Sequence, residues 1–110
     1  MRASQVSASV FAAVFVLGIT AGCQGDPQKC EQAVRNFATL VYWQGADAQI
    51  AAAAPDAREA LRKQKLAEFS GQLDRGLPTL VSQCEAANNS DEVACMIAAK
   101  TADQAKACAK

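Results

Sequence analysis

The chain contains no histidine. That absence removes the side chain most often used as a general base or metal ligand near neutral pH. Neither a Ser-His-Asp nor a Cys-His catalytic set can be assembled. Haem attachment through Cys-x-x-Cys-His fails with it. Cys-x-x-Cys is missing as well, which excludes thioredoxin-like redox chemistry and the close cysteine pairs of zinc sites. No glycine-rich phosphate loop is present, and the acidic residues are scattered. Net charge is also lacking: 11 Lys and Arg balance 11 Asp and Glu, and no basic tract offers a nucleic-acid surface. The sequence therefore predicts a non-enzymatic protein with no metal, no cofactor, no nucleic-acid partner and no small-molecule substrate.

What is there begins with an apolar leader. Arg2 supplies a positive start, and Val10 to Thr20 (VFAAVFVLGIT) forms an apolar core of signal-peptide length. A membrane span needs about 20 apolar residues, and Ser4, Gln5, Ser7 and Ser9 interrupt the front half. An uncleaved anchor is the competing reading. With residues 1–22 removed, 88 of the 110 residues remain, carrying ten basic side chains against eleven acidic ones. So short a chain makes a thin core, and covalent cross-links are expected to help it.

Five cysteines leave one over if the others pair. Cys23 closes the string Ile19-Thr20-Ala21-Gly22-Cys23, directly after the apolar run. This string resembles the lipobox of bacterial lipoproteins, with Thr20 where Leu is usual. The resemblance implies a diacylglyceryl group on the Cys23 thiol and cleavage before it; the other reading is an unlipidated leader and a stray thiol. Two acyl chains give stable membrane anchoring where one is marginal. By the same resemblance, Gln24 in place of an Asp favours the outer membrane of a Gram-negative cell, facing the periplasm or the surface. The expected organisation is a leader over 1–22, a short tether over 23–26 and a folded domain over 27–110.

Lipidation of Cys23 leaves Cys30, Cys84, Cys95 and Cys108, an even set that reads as two disulfides in an exported domain. The periodicity predicts an all-α bundle of about four helices. The first starts at the cap Asp26 with Pro27 behind it, buries Cys30, Ala33, Val34, Phe37 and Val41, and stops at Gly45. The stretch after Gly45 forms a short helix before Pro55. The second opens on a capping box at Asp56 and buries Leu61, Leu66, Phe69 and Leu73. Gly76 and Pro78 break or kink it before Leu77, Leu80, Val81 and Cys84. A third is capped by Ser90, carries Val93, Met96 and Ile97 inward, and meets a fourth that opens at Thr101. These stripes favour Cys30–Cys84 with Cys95–Cys108. Cys84–Cys95 across the Asn88-Asn89-Ser90 turn, with Cys30–Cys108, stays open.

Candidate contact residues are few. Tyr42 and Trp43 are the single Tyr and the single Trp, suited to rim packing or to anchoring a partner. Arg58, Arg62 and Lys65 lie in the densest basic stretch, either a solvated helix face or a docking surface for anionic headgroups or an acidic partner. Asn88-Asn89-Ser90 has the form of a glycosylation sequon but reads as a turn in a bacterial export context. Two functions fit: an accessory or structural lipoprotein of the cell envelope, tethered through Cys23 and contacting an envelope protein, or a small inhibitory, immunity or exclusion-type binding lipoprotein.

Overall fold

The structure is a computed structural model that describes residues 24–109. The leader and Cys23 lie outside the described residues. The first helix is capped by Asp26, whose carboxylate accepts from the backbone N–H groups of Gln28 and Lys29 at 2.9 and 3.3 Å. Pro27 takes the first helical position, where no donor is required. Helix α1 then runs Pro27–Ala52.

No stop occurs at Gly45, and no separate helix follows it. The helix passes straight through, because Ala46 and Ile50 beyond it are buried and the alanine-rich sequence there favours helix. Termination comes from Pro55. Ala53 and Ala54 turn extended, with ψ of 160° and 141°, since a residue before proline is pushed out of the helical region.

A 3-10 turn over Pro55–Ala57 leads into helix α2, Arg58–Ala87. The capping box expected at Asp56 does not form; neither the turn nor α2 has a side-chain cap at its start. Arg58 instead reaches backwards. Its guanidinium donates to the carbonyls of Ala51 and Ala53, each at 3.0 Å, and so closes the end of α1. Pro78 lies inside α2 without breaking it. Proline deprives the Asp74 carbonyl of its helical donor, yet packing against α1 on both sides of that turn holds the helix together.

Asn88, at φ 48°, ends α2 in the left-handed conformation, which Asn tolerates better than most residues. Helix α3, Ser90–Ala98, follows immediately, and its cap is Asn89 rather than Ser90: the Asn89 side chain accepts from the Glu92 N–H at 3.1 Å. At the next turn the Thr101 hydroxyl accepts from the Gln104 N–H at 3.1 Å, and the Gln104 side chain accepts from the Lys100 N–H at 2.8 Å. Helix α4, Ala102–Cys108, completes the order. The fold is all-α, and among the described residues there is no strand.

Helix α1 is the hub, packing against α2 and against the α3–α4 hairpin. The core it organises is thin. Its buried residues are Cys30, Ala33, Ala46, Ile50, Ala99, Ala102 and Ala105, so among the described residues only one side chain larger than cysteine is enclosed.

The buried and half-buried positions of α1 and α2 include rows spaced by four residues. On α1 the row is Cys30, Val34, Ala38, Tyr42, Ala46 and Ile50, all buried or half-buried. On α2 it is Leu61, Lys65, Phe69, Leu73, Leu77, Val81 and Glu85, all half-buried. Such rows are inclined ridges on a helix surface, and each step of four residues rotates the row by about 40°. Leu66 and Leu80 fall off the α2 ridge and are 54% and 44% exposed. The expected burial of Leu66 is thereby corrected.

Candidate functional site

Of the two pairings open to the four domain cysteines, the structure holds Cys30–Cys84 and Cys95–Cys108. The first, with a Cα–Cα distance of 5.8 Å, clamps the start of α1 to the end of α2. The second, at 5.7 Å, clamps α3 to α4 across the Lys100–Thr101 turn. Cys30 is 1% exposed, so the first bridge belongs to the core. A loop closed by 54 residues contributes about 4 kcal/mol in the chain-entropy account, and one closed by 13 about 3 kcal/mol.

The aromatic pair sits midway along α1. Tyr42 lies over the α1–α2 seam, its ring 4.9 Å from Phe69 and its hydroxyl donating to the Lys65 carbonyl at 2.9 Å. Trp43 stands edge-on to Tyr42 at 5.4 Å and reaches Phe69 at 6.4 Å. Both aromatics are half-buried. Partial desolvation pushes the Tyr42 phenol above its ordinary value, and the nearby Glu68 carboxylate adds to the shift. Beside them an apolar groove of about 320 Å³ is lined by Phe37, Val41, Tyr42, Phe69 and Leu73. It runs on past Phe37 and Leu80 towards Val93 and Met96 of α3.

The basic stretch is engaged within the fold at three positions. Arg58 closes α1. Arg62 stands 3.8 Å from Asp47, and Lys63 4.0 Å from Glu59. These are exposed pairs, which contribute little to stability but do neutralise the patch. Lys65 lies against the aromatic pair through its carbonyl. The structure thus gathers Tyr42, Trp43, Arg62 and Lys65 on one half of the helix pair, away from the chain's entry at Gly25.

The sequence gives no hint of Asn36. Its amide donates to the carbonyls of Met96 at 2.7 Å and Ala99 at 3.0 Å. Asn36 thereby joins α1 to the end of α3, a role that only the docking of the hairpin reveals. Gln44 makes a lesser bridge to α4, accepting from Lys106 at 3.0 Å and donating to Asp103 at 3.4 Å.

At the other end, Gly25 belongs to the folded body. Its N–H donates to the Glu85 carbonyl at 3.0 Å, and a Cβ there would lie 3.5 Å from the Glu85 Cα. A cleft of about 310 Å³ opens beside it, lined by Lys29, the Cys30–Cys84 bridge, Asn88, Val93 and Ile97. Among the described residues no cluster of His, Cys, Asp or Glu could hold a metal ion, and no helix is long and apolar enough to cross a membrane. Comparison with protein families, with curated proteins and with solved structures finds no match to this chain.

Proposed function

We propose that this chain is a lipid-anchored protein of a bacterial envelope, whose doubly cross-linked helical domain serves as an accessory interaction module. The observation that carries the reading is the Ile19–Cys23 string placed directly after the apolar leader. Two disulfides in so small a domain suit an oxidising compartment outside the cytoplasm. Gln24 points the anchored form to the outer membrane. Metabolic labelling with a fatty-acid probe is expected to tag the natural chain and not Cys23→Ser; label retained on Cys23→Ser sinks the proposal.

The second reading is an inhibitory or immunity-type binder. It is favoured by the apolar groove beside Tyr42 and by exposed Leu80 at its far side, which suit the apolar anchor of a protein partner. Pulldown of the lipidated protein with and without Trp43→Ala separates the two. Loss of a soluble exported enzyme from the Trp43→Ala sample favours the binder. Recovery of envelope components by both samples favours the accessory role.

A further inference from the structure

Lipoproteins are commonly imagined as domains swinging on a tether, and the length of that tether can be read here. Asp26 caps α1, and Gly25 is hydrogen-bonded to Glu85 in the last turn of α2. Gln24 alone separates Cys23 from the folded body. Two residues span at most about 7 Å. The tether of four residues expected over 23–26 is therefore shorter still.

Resting on the lipid-anchor reading above, we infer that the domain is mounted directly on its own bilayer. The end closed by Cys30–Cys84 abuts the phospholipid headgroups, and the opposite end projects outwards. The abutting surface is the polar turn Asn88-Asn89-Ser90 together with Gly25 and the first turn of α1, which share one cleft; exposed Lys29 stands there with the carboxylates of Asp26, Glu31 and Asp91. From there α1 leads away for about 39 Å, placing Trp43 about 24 Å out.

Further along, the flanks oppose a flat arrangement. Glu68 and Asp74 are exposed there, and carboxylates are repelled by an anionic leaflet. Two of the cations near the far end, Arg58 and Arg62, are engaged by the Ala51 and Ala53 carbonyls and by Asp47. The aromatic groove and the basic stretch thus meet partners at a fixed height above the membrane, and their accessibility does not depend on a flexible linker.

The test uses full-length lipidated protein in phosphatidylethanolamine–phosphatidylglycerol vesicles carrying brominated lipids, which quench tryptophan on contact. Trp43 is the only Trp, and its emission is expected to be unchanged by bromine in protein that floats with the vesicles. In a Trp43→Phe background, Gln28→Trp places the reporter in the first turn of α1, and most of its emission should be lost. Inserting about 12 Gly/Ser residues between Gln24 and Gly25 adds roughly 20 Å of reach and should restore that emission. Quenching of Trp43, or quenching at residue 28 that survives the insertion, overturns the inference while leaving the anchor intact. Failure of the natural chain to float overturns the anchor reading and this inference with it.

Discussion

Two polar side chains carry more of this fold than their chemistry alone suggests. Asn36 directs its amide at the half-buried end of α3, at 2.7 and 3.0 Å from two carbonyls. Asn36→Ala removes the donor and leaves those carbonyls without it, at a cost of about 1–3 kcal/mol. Asn36→Asp goes further, because a carboxylate would face carbonyl oxygens. Repulsion raises its folded pKa, so its deficit is greatest at neutral pH and shrinks as acid protonates it into a donor. Chemical denaturation at neutral and acidic pH checks this, and an Asp variant no worse than the Ala variant at neutrality refutes it. Tyr42 follows the same sign in a more alkaline window. Its phenol is raised by desolvation and by Glu68, so its contribution is complete below the ordinary tyrosine value of about 10 and is lost as pH rises through the folded value. Tyr42→Phe forgoes the hydrogen bond to the Lys65 carbonyl and should flatten the alkaline limb of the stability curve. As the only Tyr, it can be followed directly through phenolate absorbance.

Among the elements, two of the caps are legible in sequence, while the caps expected at Asp56 and Ser90 and the long-range rows are not. Asp26 and Thr101 act as their local sequence predicts, because a cap is settled within four residues. Gly45 and Pro78 fail as stop signals because tertiary packing on either side outweighs local propensity. The burial of Leu66 is misjudged for a related reason. A stripe drawn for an isolated helix ignores the inclined ridge that two long helices share, which selects Lys65 and Glu85 over Leu66 and Leu80. The contribution of Arg58 is hidden because the carbonyls it meets belong to the preceding element. Gly45 supplies a direct test of helix continuity. It is exposed, lies in the interior of α1, and a Cβ there would meet nothing within 4 Å. Gly45→Ala should stabilise the domain by roughly 0.5–1 kcal/mol, raising the thermal midpoint followed by helical circular dichroism. A helix that truly ended at Gly45 would gain nothing from the change, or lose stability.

At the scale of the whole molecule, the four-helix, two-bridge outline is legible in the cysteine count and the helical periodicity. The hub arrangement is not, since no local pattern states that α1 receives both α2 and the α3–α4 hairpin. That arrangement makes the two bridges unequal. Five of the seven buried residues among those described are alanines, each with little apolar surface to remove from water. Cross-links must therefore supply much of the stability margin. Cys30–Cys84 closes the longer loop, buries its Cys30 half, and holds together the helix pair on which everything else docks. Cys95–Cys108 closes a local hairpin whose turn is already fixed by Thr101 and Gln104. Replacing Cys30 and Cys84 with alanine should cost about 4 kcal/mol from loop closure, plus lost core packing. For a domain this small that abolishes cooperative unfolding at physiological temperature. Replacing Cys95 and Cys108 should cost about 3 kcal/mol at most, loosening α3 and α4 while the α1–α2 pair persists. Paired thermal melts with hydrogen exchange measure both. Protection lost in α1 and α2 on removing only the Cys95–Cys108 bridge would show that the hairpin, and not the helix pair, is the foundation of the fold.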